Sequence, residues 1–250
     1  MSATPEASGP AEGAPIVQDA NTTVARNTTF LVVAQVIGMP LSLLVNGIMG
    51  RRLGAAEFGD IYLAGTLVSF GFLAVDWGQA ATLPSMIARD RSRAGVLLGS
   101  GLVWRACSAV AVYGIIAVAG MLLGYSTRLQ IALALVSVSR LFGTATAAYL
   151  DSARGFENSS LTAASQVRYN VLCAVLFIPV VLLGGRMLSV LSVLIIAEIV
   201  NAIFVVRGSR SLGIGKLRFS RTELKSQLSM GVTFMMLGLA LALQPIVDAL

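Results

Sequence analysis

Six ionisable residues stand inside stretches that are otherwise apolar enough and long enough to cross a bilayer: Asp76, Arg105, Arg140, Arg168, Glu198 and Asp248. A charge at mid-bilayer costs about 2.5–3.5 kcal/mol on insertion scales, so such residues face a partner or a wet cavity. Arginine keeps its charge when buried and forks bidentately onto phosphate. Arg105, Arg140 and Arg168 are therefore the candidate contacts for an anionic head group such as a pyrophosphate or an acidic sugar, with Arg140 central in its span. Their alternative role is to snorkel to an interface or to pair with the acids. Asp76, Glu198 and Asp248 are candidates for ion coupling or for intramembrane pairing with those arginines.

Small polar side chains recur around these charges. Thr66, Ser69, Asp76 and Gln79 follow helical spacing, which puts them on one face of a span that contains Asp76 well inside it. Gly101 and Ser108 share the face of Arg105. Ser137 and Thr144 share that of Arg140. Ser165 and Gln166 neighbour Arg168, and Asn201 shares the face of Glu198. Such polar stripes are expected to face the interior of a helical bundle.

The elements that must carry them are transmembrane helices. The chain has 250 residues, 56% of them hydrophobic and 12% charged. With mean hydropathy +0.82 this is an integral membrane composition. Apolar runs of about 18–24 residues match the roughly 30 Å of hydrocarbon that a helix must cross. No segment alternates over a useful length, which argues against a transmembrane barrel. The expected fold is all-α, with about seven spans near residues 30–49, 61–83, 96–123, 129–150, 161–183, 187–206 and 228–250. The connections then include 89–93, 151–157 and 207–225.

Composition also excludes chemistry. There is no histidine, which removes most zinc sites and every His-based triad or general base. No GxxxxGK(S/T) phosphate loop occurs. No cofactor, metal or catalytic residue is expected, and the chain does not read as an enzyme. The net charge of +6 calls for no nucleic acid, because the positive residues sit mainly in loops, where they set topology. Cys107 and Cys173 both fall in spans and are expected to be free, buried packing residues. The Gly95-x-x-x-Gly99 pattern is expected to serve close helix–helix packing. Pro40 lies mid-span and is a candidate kink. The sequons at Asn21, Asn27 and Asn158 read as chance matches.

Loop charges give an orientation. With a cytoplasmic N-terminus the inner loops hold Arg26, Arg89, Arg91, Arg93, Arg154, Arg207, Arg210, Lys216, Arg218, Arg221 and Lys225. The outer loops hold only Arg51, Arg52, Arg128 and Arg186. That asymmetry predicts N-in insertion in the cytoplasmic (inner) membrane. Residues 1–24 are small and polar and are expected to form a disordered cytoplasmic tail. Residues 25–206 form a six-helix lobe, and 207–226 a basic cytoplasmic linker. Residues 227–250 begin a second lobe that looks truncated. A faint echo between Val45-Asn46-Gly47-Ile48 and Val247-Asp248-Ala249-Leu250 agrees with a repeat of the two lobes.

The segment Arg51-Arg52-Leu53-Gly54-Ala55-Ala56-Glu57-Phe58-Gly59, between the first and second spans, resembles the R-x-L-G-x-x-x-(F/Y)-G pattern of the polysaccharide (Wzx-like) flippases of the multidrug/oligosaccharidyl-lipid/polysaccharide superfamily. Ser85-Met86-Ile87-Ala88-Arg89 resembles that family's short cytoplasmic turn after the second span. Ala153-Arg154-Gly155-Phe156-Glu157 resembles its segment after the fourth. The region from Glu223 to Asp248 is similar to its approach to the seventh span. The resemblance covers residues 25–250 and implies the N-terminal part of a two-lobe transporter. It implies translocation of a polyprenyl-pyrophosphate-linked oligosaccharide, a repeat unit of O-antigen, capsule or exopolysaccharide, across the cytoplasmic membrane. Implied partners are that lipid-linked oligosaccharide, membrane lipids, and a polysaccharide polymerase with its chain-length machinery. A lipid II flippase or a multidrug antiporter of the same superfamily is the alternative, as is a nonfunctional fragment or membrane scaffold. An antiporter for cationic drugs would favour acidic cavity residues, whereas here deep arginines match deep acids in number.

Overall fold

The computed structural model describes residues 14–247, with side chains described for residues 28–242. Among them there is no strand. Seven α-helices follow in order: α1 (Ala14–Asp76), α2 (Gln79–Arg89), α3 (Ala94–Leu122), α4 (Thr127–Gly155), α5 (Ser159–Leu182), α6 (Met187–Ser209) and α7 (Arg221–Val247). Six helical stretches are long and apolar enough to cross a membrane, the first running over Thr28–Arg89. At 1.5 Å per residue those 62 residues would reach about 90 Å, three times the hydrocarbon thickness, so they must double back. They do so at Gly54, whose φ of 78° and ψ of 168° lie outside the helical region. Only glycine takes that conformation at little cost. Residues on the two limbs then face each other across one cavity: Ser42, Asn46 and Met49 from the first, Phe58, Tyr62 and Thr66 from the second. The chain therefore crosses about seven times, as the hydropathy pattern predicts.

Helix boundaries differ from expectation in four places. The first helix already starts at Ala14, inside the stretch expected to be a disordered tail; residues 1–13 lie outside the described residues. Pro40 does not break α1, whose one non-helical residue is Gly54. The second crossing is broken at Trp77 and Gly78, both left-handed. Ser85–Arg89, expected as a connecting turn, forms the last turns of α2, and the turn comes at Asp90. There the Ser92 hydroxyl and N–H both donate to the Asp90 carboxylate. Those bonds, the hydroxyl's first, hold its pKa below the usual range.

Ion pairs mark the two ends of the bundle. At one end Arg186 Nε donates to Glu57 Oε1 at 2.7 Å, and Arg128 Nε to Asp60 Oδ2 at 2.5 Å. At the other end Arg91 lies 3.5 Å from Glu157, and Arg93 pairs with Glu223. The loop between the first two crossings thus has a structural logic: Gly54 turns the chain, and Leu53 and Phe58 pack onto the main apolar core. Its Glu57, 5% exposed, also accepts from the Met187 N–H at 3.0 Å, capping the start of α6.

Two apolar clusters fill the interior. The larger joins α1, α4, α5 and α6 through Ala64, Val68, Ala132, Phe177, Val190 and Ala197. The smaller, toward the basic end, joins Leu83, Ile87, Leu97, Leu98 and Ala148 with Ile214. Many large apolar side chains point outward instead, among them Leu43, Ile115, Leu122 and Leu183. Around a bundle of spanning helices that outer face is the lipid contact.

The Gly95-x-x-x-Gly99 pattern has a different partner from the helix expected. A Cβ on Gly95 would lie 2.5 Å from the Lys216 carbonyl oxygen, and one on Gly99 2.4 Å from that of Arg218. The glycines form a bed for the non-helical segment 213–220, which the Arg218 N–H ties to Gly95 O at 3.3 Å. Ser100 Oγ secures it further, accepting from Ser220 N–H at 2.9 Å and donating to Ser220 O at 3.2 Å. The basic linker is thus a strap laid along α3. The cysteines also divide: Cys173 is buried as expected, but Cys107 is exposed on the outward face of α3.

Candidate functional site

Among the described residues Arg105, on α3, is the largest fully buried side chain, 2% exposed. Its Nη2 donates to Asp76 Oδ1 at 2.6 Å and to Asp151 Oδ2 at 2.7 Å, and its Nη1 to the Thr144 carbonyl at 3.2 Å. Asp151, 1% exposed, also accepts from Arg154. Two arginines and two aspartates therefore form a neutral network, the arrangement that buried charge requires. The break in the second crossing is built into it. Asp76 ends α1, and its Oδ2 accepts from Ala80 N–H at 3.2 Å, capping α2. The Trp104 indole N–H donates to the freed Val75 carbonyl at 3.1 Å. Trp77 stacks edge-on against Trp104 at 5.6 Å and donates its indole N–H to Leu228 O at 3.2 Å. The Val75 carbonyl and the Ala80 N–H, two of the backbone groups that the break frees, are thereby satisfied.

The polar stripe expected through Thr66, Ser69, Asp76 and Gln79 is split by this break. Thr66 and Ser69 face a cavity, Asp76 faces Arg105, and Gln79 is buried in α2 beside Gly101. Asp151, expected in a connection, belongs to the last turns of α4 and is the residue that sequence reasoning missed. Its signal was the spacing: it follows Thr144 by seven residues, on the same helix face.

The cavity measures about 690 Å³ and lies between the two limbs of α1, α4 and α5, with Leu194 of α6 and Ala242 of α7 completing its wall. Its lining is apolar except for Ser42, Asn46, Tyr62, Thr66, Ser69, Tyr169, Asn170 and one charge, Arg140. Arg140 Nη2 donates to Ser69 Oγ at 3.2 Å, and no carboxylate among the described residues lies within ion-pair distance of it. Most of its donors are thus available to a ligand.

The other candidates scatter. Arg168 stacks on Phe204, its Cζ 4.5 Å from the ring centroid, with Nη1 buried and without a partner among the described residues. Glu198, half-buried on α6, reaches the space left by Gly143, where an added Cβ would lie 3.2 Å from its Oε1. Gly143 is one turn beyond Arg140 on α4, so the carboxylate sits behind the cavity wall near that arginine. Its neighbour Asn201 exchanges hydrogen bonds with Ser165 at 3.0 and 3.2 Å. Asp248, and with it the echo of the first span, lies outside the described residues. The structure thus brings Asp76 to Arg105 and Glu198 toward Arg140, but it does not gather the three arginines.

The sequence model of the family described as polysaccharide biosynthesis protein matches residues 24–250. The chain belongs to that family. It is the Wzx-like group of polysaccharide flippases, a family of transporters and not of enzymes. Membership agrees with the all-helical, multi-pass architecture and makes this a polysaccharide-related flippase or exporter at family level. No curated protein and no solved structure matched the chain.

Proposed function

We propose that this flippase carries a polyprenyl-pyrophosphate-linked oligosaccharide from the cytoplasmic to the outer leaflet, with Arg140 as the contact for the diphosphate. The observation that supports this is a single guanidinium, with no carboxylate within ion-pair distance among the described residues, on a cavity of about 690 Å³ that is otherwise apolar and hydroxyl- or amide-lined. Arginine matches phosphate geometry bidentately. Ser42, Asn46, Thr66, Tyr169 and Asn170 supply donors and acceptors suited to sugar hydroxyls, while the isoprenoid stays in lipid. A cavity with one cation and no acid on its wall favours this anionic cargo over a cationic drug.

Transport in this reading is alternating access, a rocking of two lobes about the cavity. The end rich in arginine faces the cytoplasm, which places the N-terminus inside under the positive-inside rule. Glu198 serves as the coupling carboxylate, because it reaches Gly143, one turn from Arg140, behind the cavity wall; Asp248 is a second candidate. Arg105, paired with Asp76 and Asp151, holds the broken helix and does not touch cargo. Arg168 supports the α5–α6 contact. A polymerase and its chain-length machinery are the expected consumers of the flipped unit.

The test is surface-glycan export in cells that depend on this gene. Arg140→Glu is expected to abolish export, while Arg140→Lys retains part of it, at unchanged protein level in the membrane. Full export with Arg140→Glu overturns the proposal.

A further inference from the structure

A second opening lies away from the Arg140 cavity, between the start of α7 and the break in the second crossing. It is a groove of about 420 Å³ lined by Trp77, Arg221, Leu224, Lys225, Leu228 and Val232, with Ser229 at its edge. The lining is ordered by polarity. Arg221 and Lys225, one turn apart and both exposed, stand at the basic end. Leu224, Leu228 and Val232 continue down the same face of α7, and the half-buried Trp77 forms the opposite wall. From Arg221 to Val232 the groove follows α7 for about 16 Å, at 1.5 Å per residue. That is about half of a hydrocarbon core, the depth of one leaflet.

Neither cation has a carboxylate within ion-pair distance among the described residues. The acid in the first turn of α7, Glu223, is taken by Arg93. The neighbouring strap adds Lys216 and Arg218, both exposed, and no acid lies between Glu198 and Glu223. Leu217 and Phe219 of the strap are about half exposed beside them. Two free cations above an apolar channel one leaflet deep are complementary to one chemistry, a phosphate head on a hydrocarbon tail.

We infer that this groove is a binding site for an acidic phospholipid of the membrane, with the head-group phosphate on Arg221 and Lys225 and an acyl chain along Leu224, Leu228 and Val232 against Trp77. The site is independent of the cargo reading above. It has a structural use, because the lipid would cover the seam where α7 meets the broken crossing. That seam is closely built: a Cβ on Gly231 would lie 2.1 Å from the Trp77 carbonyl oxygen.

The chain carries its own reporter. It has two tryptophans, so Trp104→Phe leaves Trp77 as the one emitter while keeping a ring against it. The protein is reconstituted with acyl-brominated phosphatidylglycerol or phosphatidylcholine at equal mole fraction, and Trp77 quenching is titrated. Two basic residues at an anionic surface lead to an enrichment on the order of 30-fold for the acidic lipid. That preference is expected to vanish in Arg221→Glu/Lys225→Glu, or in Arg221→Gln/Lys225→Gln if the reversal does not fold. Equal quenching by both lipids, or a preference that survives the folded double variant, overturns the inference. So does a preference that disappears when a trace of polyprenyl diphosphate is added to excess acidic phospholipid, because the occupant would then be the cargo lipid.

Discussion

Replacing Arg105 by methionine separates a structural arginine from a cargo-binding one. The substitution keeps the apolar stem and removes the guanidinium, leaving Asp151, 1% exposed, and the partly buried Asp76 without their shared partner. Breaking a buried ion pair from one side costs about 3–5 kcal/mol, because the remaining charge is uncompensated. Here Arg154 still holds Asp151 and the Ala80 N–H still holds Asp76. The lower end of that range, about 3 kcal/mol, is therefore expected, which lowers Tm by about 6–12 °C in a chain of this size. The two tryptophans beside the network give an assay. Heating separates the edge-on Trp77–Trp104 contact, so the shift of tryptophan emission on heating reports Tm. The triple variant Arg105→Met/Asp76→Asn/Asp151→Asn removes all three charges together and should recover most of the loss, as neutral replacements of buried networks do. If Arg105→Met unfolds at the wild-type temperature yet loses export, Arg105 is a cargo contact and the structural reasoning fails.

Other perturbations probe the turn, the strap and the start of α6. Gly54→Val puts a β-branched side chain at φ 78° and should cost about 1–3 kcal/mol, read as a fall in Tm by the same tryptophan emission; an unchanged Tm would deny the tight reversal at Gly54. Gly99→Val drives a side chain into the Arg218 backbone, where even a Cβ would lie at 2.4 Å. It should release the strap, read as faster amide exchange over residues 213–220 with α3 still protected. Glu57→Gln should weaken the anchoring of α6, detected as faster exchange at its first turn.

Much of the architecture was legible because hydropathy and charge act over whole segments. Apolar runs long enough to span gave the helices, and the excess of arginine in alternate loops agrees with the two ion-paired ends. What hydropathy could not supply was where a helix breaks inside an apolar run. Asp76-Trp77-Gly78 looks like ordinary span sequence, and the break exists because Asp76, Trp104 and Arg105 satisfy the groups it exposes. The same tertiary contact hid Asp151, whose position near a span end made it look like loop. Gly95 and Gly99 show a second limit: small residues signal close approach but do not say whether a helix or an extended strap will make it. Among the arginines, sequence depth singled out Arg140, yet only the packing shows that Arg105 is engaged and Arg168 stacked.

The central claim is that Arg140 holds the diphosphate of the cargo, and binding tests it more directly than export. The affinity of the purified flippase for a polyprenyl diphosphate should be measured in nanodiscs for the wild type, Arg140→Lys and Arg140→Gln. A charge-assisted hydrogen bond contributes about 1.5–3 kcal/mol, so Arg140→Gln is expected to weaken binding by roughly 10- to 150-fold. Arg140→Lys, which keeps the charge without the fork, should fall between. Equal affinity for all three proteins would mean that the cavity's one cation does not touch the diphosphate, and the account of this site would be wrong.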